Sequence, residues 1–322
     1  MKPEVGPAAP LTFLPGAPTP QGITAHWLAG EADVPIRWAY APPLSDIPAK
    51  GVVLLLSGRA DFIEKHFETI CDLQGFGYGV LTLDWRGQGR SGRLLDDPMK
   101  GHIDSYEAAL KDLRRVLTAS VSVCGRPLWV LAHSMGGALA VRALQTGMLD
   151  VKAAVLSSPM LGINTGAISS QAAQAIVSVM MRMRLGTAYV PGRATDPLVE
   201  VFAKTTLTHD EARFQRSQAY MRAEPALQLG GVTVGWLSQS YRLLKHIWAP
   251  AAFEAISAPI LVQSARPDAL VRADMAEAAC ARIFHAKFVA FDGARHELLH
   301  ETDDVRARFW QNVQDFLTPH IR

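Results

Sequence analysis

The residues best able to do chemistry gather around one serine. In Leu131-Ala132-His133-Ser134-Met135-Gly136-Gly137-Ala138, Ser134 stands between an apolar run that reads as a strand and a pattern that reads as a helix start. Alanine and glycine lie two residues to either side. Such a strand–turn–helix elbow exposes a serine hydroxyl as a nucleophile, and larger side chains at those flanking positions would strike the strand and the helix. The helix N-terminus behind the serine lends partial positive charge to an incoming oxyanion. A serine hydroxyl is inert without a base, and the base needs an acid to orient it. The elbow arrangement expects the order Ser, then Asp or Glu, then His. Asp268 in Ala265-Arg266-Pro267-Asp268-Ala269 and His296 in Asp292-Gly293-Ala294-Arg295-His296-Glu297 fit that order, each just beyond an apolar run. The matching oxyanion hole takes one backbone N–H from Met135 and one from Arg59, in Ser57-Gly58-Arg59-Ala60-Asp61. Gly58 allows the chain to approach a substrate closely.

These residues need a scaffold that brings strand ends together. Val52–Leu56, Val80–Leu83, Leu128–Ala132, Ala153–Leu156, Pro259–Val262 and Lys287–Phe291 are short apolar runs without alternation, the pattern of parallel strands buried on both faces. Helical stretches separate them: Phe62, His66, Phe67 and Ile70 at helical spacing, Ser105–Val121 with Asp104 before Glu107 as the helix start, and Val305–Leu317. Ahead of them, alternation from Ile23 to Tyr40 around Glu31-Ala32-Asp33 predicts a β-hairpin. The expected class is α/β, a mostly parallel sheet with helices on both faces. Sites in such sheets form at the carboxyl ends of the strands, where Ser134, Asp268 and His296 all fall. The rhythm breaks between about Leu161 and Trp248, which reads as helices and loops. The expected organisation is a proline-rich extended lead-in over 1–20, a first core part over 21–160, a helical cap over 161–250 and a second core part over 251–322.

At 322 residues, 49% hydrophobic and 19% charged, the chain falls outside the disordered class. A net charge of +2 gives no basic excess for nucleic acid. Cys71, Cys124 and Cys280 form no CxxC pair, so neither a disulfide framework nor a zinc site is expected. The start lacks a signal-peptide apolar run, and no stretch approaches the ~18 residues of a membrane span. A cytoplasmic protein is expected, with membrane contact confined to its surface.

Six segments together resemble the serine α/β-hydrolase superfamily, and within it the lysophospholipase L2 and monoacylglycerol lipase group. They are Ser57-Gly58-Arg59, Asp84-Trp85-Arg86-Gly87-Gln88-Gly89-Arg90-Ser91, Gly101-His102-Ile103-Asp104, Ala132 to Gly137, Ser157-Ser158-Pro159-Met160-Leu161-Gly162 and Gly293 to Glu297. The resemblance spans most of residues 50–300 outside the helical stretch. It implies an α/β-hydrolase fold with an inserted helical cap, no cofactor, and hydrolysis of an ester carrying a single acyl chain (lysophospholipid or monoacylglycerol). The chain departs from the family pattern at Trp85, where histidine is common, at Ser57, and at Ala132 in place of the first glycine of G-x-S-x-G. On the same triad the alternatives are a small-ester hydrolase, thioesterase, acyltransferase or peptidase. Outside enzymes, the alternative is a ligand-binding protein of the same fold.

Other residues have blander readings. Asp84 to Ser91 lacks nucleotide-loop spacing and reads as a packed turn supporting the site. The side chain of His133 is expected to point away from the pocket. His66, His102, His209, His285 and His300 share no spacing with acids that would suggest a metal. Asp61 is a candidate contact to the cap or the loop near the site. Met160 and Met180 are candidate substrate contacts. Ala172, Ile176, Val179, Met180 and Met183 recur at helical spacing, either as a cap helix packed on the core or as an acyl-chain wall or membrane-facing lid. Arg182, Arg184 and Arg193 are candidate partners for a lipid phosphate. The sequence specifies neither the acyl length, the head group nor the oligomeric state.

Overall fold

The computed structural model describes residues 6–191 and 196–320, so Arg193 lies outside the described residues. Strands β1 (Thr24–Ala29) and β2 (Pro35–Ala41) form the expected hairpin, with Trp27 opposite Arg37. Then come β3 (Gly51–Leu56), α1 (Phe67–Gly75), β4 (Tyr78–Leu83), α2 (Tyr106–Cys124), β5 (Trp129–His133), α3 (Ser134–Gln145) and β6 (Ala153–Ser157). After a long helical stretch come β7 (Ile260–Arg266), α7 (Ala273–Cys280), β8 (Ala286–Asp292) and α8 (Asp303–Leu317). The sheet has eight strands in the order β1-β2-β4-β3-β5-β6-β7-β8. Strands β1, β2 and β4 pair antiparallel, and every pairing from β4 onward across the sheet is parallel.

The absence of alternation in the strand runs has a direct cause. In β3, Val52, Leu54 and Leu56 face one core while Val53 and Leu55 face the other. The first core takes Leu113 and Val116 of α2, Leu139 of α3 and Ala276 of α7. The second takes Phe67 and Ile70 of α1 and Phe309 and Val313 of α8. Each fully buried aliphatic side chain contributes about 1.5–3 kcal/mol, so both faces favour apolar residues.

Two local expectations need correcting. Helix α2 is capped by Ser105, whose Oγ accepts the Ala108 N–H at 3.2 Å, and not by Asp104. Asp104 instead accepts from the Ser105 N–H and pairs with Arg86. The lead-in runs extended along β1, with the Ala9 N–H on Ala25 O and the Trp27 N–H on Pro7 O (both 2.8 Å). Its Ala9, Leu11, Leu14 and Ala17 pack half-buried against the second core, so this segment joins a core it was expected to stay outside.

Between β6 and β7 the described residues hold no strand, only helices: α4 (Ser170–Arg182), α5 (Glu211–Ala223), α6 (Val234–Ile247) and short 3-10 turns. Their attachment is uneven. Trp236, Leu243 and Ile247 of α6 join the first core. The chain before α6 is stitched to the core by Gly230 N–H on Met99 O, Gly101 N–H on Gly231 O and Thr233 N–H on Gly101 O, at 2.8–3.0 Å. Helix α4 buries only Val177. The stripe that periodicity picked out there faces solvent: Ile176, Val179 and Met183 are 51, 52 and 64% exposed.

Candidate active site

Ser134 occupies the turn between β5 and α3 with φ at +50°, a left-handed conformation that costs an L-residue roughly 1–2 kcal/mol. Its surroundings explain the small neighbours. A Cβ added to Gly136 would lie 2.4 Å from Ser57 O, and one added to Gly58 would lie 3.2 Å from the Ser134 Cβ. The turn is pinned from below by the Met160 N–H, which donates to Ser134 O at 2.9 Å.

Three side chains from three strand ends meet here. His296 Nε2 is 2.9 Å from Ser134 Oγ, and His296 Nδ1 is 2.6 Å from Asp268 Oδ2. The other Asp268 oxygen accepts the N–H groups of Leu270 (2.8 Å) and Val271 (3.1 Å). Burial alone would push the Asp268 carboxyl up. The hydrogen bond and charge of His296 and the two backbone N–H groups outweigh it and hold the carboxyl below its ordinary value. Asp268 therefore stays ionised, and with Nδ1–H donating to it, Nε2 is left as the lone-pair nitrogen facing Ser134.

The loop after β3 lies against the same serine. The Trp85 indole N–H donates to Ser57 O at 2.9 Å, and Gln88 Nε2 donates to Gly58 O at 2.7 Å. The Asp84–Ser91 turn thus orients the peptides leading to Arg59, and an indole makes the bond at the position where histidine is common. The Arg59 side chain is not idle: Nη2 donates to Gly230 O in the helical insertion, and the guanidinium stands 6.0 Å from the Trp236 ring centroid. Of the two contacts expected for Asp61, the hydrogen bonds show the one to the loop near the site. Asp61 Oδ2 accepts the Gly58 N–H at 2.7 Å, and its Oδ1 pairs with Lys65 Nζ at 2.6 Å.

His133 lies closer to the site than expected. Its buried ring is 4.9 Å from that of His296, and its Nδ1 donates to Ser157 O at 3.1 Å. Burial, followed by the neighbouring His296, pushes its pKa down to about 3, so it is a neutral packing group. Met160 is buried in the first core, touching Ser134 through its backbone. Met180 is half-buried on α4. Sequence reasoning missed Gln88, Lys65 and Glu297. Only the Asp61/Lys65 spacing, i and i+4 amid apolar residues, could have signalled the second. Among the described residues no group of three His, Cys, Asp or Glu side chains is placed to hold a metal.

Residues 47–303 match the hydrolase family described as serine aminopeptidase, S33. Over 277 residues the chain is 31% identical to lysophospholipase L2 of Escherichia coli K12, covering 84% of this chain and 81% of that protein. It is 30% identical over 296 residues to a probable lysophospholipase L2 of Haemophilus influenzae, covering 91% of each. The chain belongs to this hydrolase family. Its fold is that of a soluble variant of monoglyceride lipase from Saccharomyces cerevisiae, with TM-score 0.74 at 18% identity, covering 98% of this chain and 100% of that one. The hydrolase is thus an enzyme of the carboxylic ester hydrolase kind, in the group resembling lysophospholipase L2 and monoacylglycerol lipase.

In this hydrolase the Ser134 hydroxyl is covered. Ser134 is 9% exposed and His296 3%. A void of about 10 Å³ touches Met135, Arg59, Leu229 and Trp236, room for about one water molecule. A cleft of about 730 Å³ opens elsewhere, between Asn164–Gln171 and the Arg266–Glu277 stretch. Of the three meeting side chains it touches only Asp268.

Proposed function

We propose that the hydrolase cleaves carboxylic esters through an acyl-enzyme on Ser134. The observation that carries this is the Ser134–His296–Asp268 line at 2.9 and 2.6 Å. Ser134 Oγ attacks the ester carbonyl carbon and its proton passes to His296 Nε2, while Asp268 stabilises the imidazolium. The oxyanion is held by the backbone N–H groups of Met135 and Arg59. The intermediate collapses, the carbonyl–oxygen bond to the alcohol breaks, and His296 returns the proton to the leaving oxygen. Water, with His296 as base, then releases the acid. Ser134→Ala should fold and lose nearly all esterase activity. A fluorophosphonate should label the wild-type protein once, at Ser134; absence of that adduct would favour a ligand-binding protein instead.

The substrate class we propose is a lipid ester with one acyl chain, as the names of the relatives suggest. Residues 161–250 act as its cap. The exposed Ile176, Val179 and Met183, beside exposed Arg182 and Arg184, suit a surface laid on a lipid interface. No described helix is long and apolar enough to cross a membrane. Cys71, Cys124 and Cys280 are free thiols, which suits a cytoplasmic enzyme working at the inner membrane face. Fatty-acid release from a lysophospholipid and a monoacylglycerol of equal chain, with Ser134→Ala as blank, tests this. Release from neither, with small esters still cleaved, overturns the lipid reading.

The family description favours one second reading, peptide-bond cleavage at a free amino terminus. That chemistry needs a carboxylate offered to the substrate ammonium. Asp61 and Glu297, which adjoin the oxyanion loop and His296 in sequence, are buried and both held by Lys65. That arrangement supports the ester.

A further inference from the structure

Behind the site lies a buried ionic cluster that the proposed chemistry leaves unused. Lys65 Nζ is 2.6 Å from Asp61 Oδ1 and 2.6 Å from Glu297 Oε1, and all three side chains are under 10% exposed. Asp61 belongs to the oxyanion loop and Glu297 follows His296. One ammonium therefore joins the two loops that must stay in register during the reaction. The link continues into backbone at both ends. Asp61 Oδ2 accepts the Gly58 N–H at 2.7 Å, one peptide before the Arg59 N–H, and His66 Nε2 lies 3.3 Å from the same oxygen. The Glu297 N–H donates to Leu207 O at 2.9 Å, and His300 Nε2 donates to Lys65 O at 3.0 Å.

The ionic state of the cluster agrees with its geometry. Burial opposes both charges, yet Asp61 is held well below its ordinary value, chiefly by Lys65 and then His66. Lys65 is held above its ordinary value by Asp61 and Glu297. A buried charge set survives only when every member is paired, and removing one member leaves the rest uncompensated. Such a cluster is a costly way to obtain stability alone, since apolar residues of similar volume usually do as well. What apolar residues lack is an oxygen to hold the Gly58 N–H.

We infer that Asp61, Lys65 and Glu297 form a positioning device that fixes the Arg59 oxyanion donor relative to His296. The inference rests on the proposed roles of Ser134, His296 and Arg59. Asp61 does not touch the substrate; it acts through the Gly58–Arg59 peptide. Its removal should weaken transition-state binding and leave ground-state binding nearly intact.

The test compares wild type with Asp61→Ala and Asp61→Asn on a small chromogenic ester. The second readout is inhibition by an alkyl trifluoromethyl ketone. In that complex Ser134 Oγ bonds to the ketone carbon, the carbonyl π pair becomes an oxyanion, and the serine proton moves to His296. For Asp61→Ala we expect kcat to fall about 10- to 100-fold, KM to stay within about twofold, and the inhibition constant to rise with KM/kcat. Asp61→Asn keeps an oxygen for the Gly58 N–H and loses the pull on Lys65, so its kcat should fall about three- to tenfold. Wild-type kcat in folded Asp61→Ala overturns the inference, as does a lost kcat with unchanged ketone affinity. If Asp61→Ala gives no cooperative melt, Asp61→Asn decides: a wild-type kcat there overturns it. Failure of the ketone to bind wild type at Ser134 overturns the triad assignment itself, a separate outcome.

Discussion

Ser134 sits at φ +50°, and its neighbours leave no room for the turn to relax. Glycine accepts that conformation without the Cβ conflict that alanine keeps. Ser134→Gly should therefore melt above Ser134→Ala, and under the proposed mechanism neither should cleave esters; equal melting temperatures in calorimetry would mean the turn stores no strain. Gly58 faces the opposite constraint, one of space. A Cβ there would lie 3.0 Å from Asp61 Oδ2 and 3.0 Å from His133 Cδ2, so Gly58→Ala must shift the loop after β3 or these neighbours by a few tenths of an ångström. We expect it to fold and to lose at least about tenfold in kcat/KM, because small misplacements at a reacting centre are expensive; unchanged kcat/KM would refute the close approach. At this scale the sequence was informative where chemistry is local. Ser134, Asp268 and His296 each sit at a strand end in the expected order. The Lys65–Glu297 pair spans 232 residues, and no local pattern announces it.

Elements tell a similar story through Glu68 on α1. It accepts from Arg213 on α5, pairs with Arg216, and lies 3.8 Å from Arg306 on α8, so it bolts the helical insertion to two core helices. Burial would raise its pKa, but the Arg213 hydrogen bond and the charges of Arg306, Arg216 and Arg213 lower it from 4.5 to about 2. A carboxyl lowered on folding adds stability that is complete above its unfolded pKa and lost as pH falls through the folded one. Glu68→Gln should thus melt a few degrees below wild type at pH 7, with the gap closing between pH 4.5 and about 2. A gap independent of pH in thermal melts would mean that packing, not charge, sets it. The strands were legible because burial on both faces leaves an unbroken apolar run. The insertion was less so. Periodicity on α4 identifies an apolar stripe, but a period says which residues share a face and not what that face meets.

At the scale of the whole molecule, two observations stand in tension: Ser134 is covered, and an exposed apolar stripe lies on α4, which buries a single side chain. Residues from Glu224 to α6 are held by backbone hydrogen bonds and by the Arg90–Glu224 and Arg93–Gln228 contacts, whereas α4 buries a single side chain. An apolar stripe that contributes little to folding is free to serve an interface. If it seats the enzyme on lipid, replacing it should separate two activities. Ile176→Ser, Val179→Ser and Met183→Ser combined should keep kcat/KM on a water-soluble short-chain ester within about twofold, since none of the three side chains is buried. Sedimentation with anionic vesicles should fall, and fatty-acid release from lysophospholipid in those vesicles should drop about tenfold or more, because three apolar contacts of about 1 kcal/mol or more each are lost. Equal loss on both substrates would place the stripe in the acyl-chain path, and no loss on either would leave α4 a mere cover.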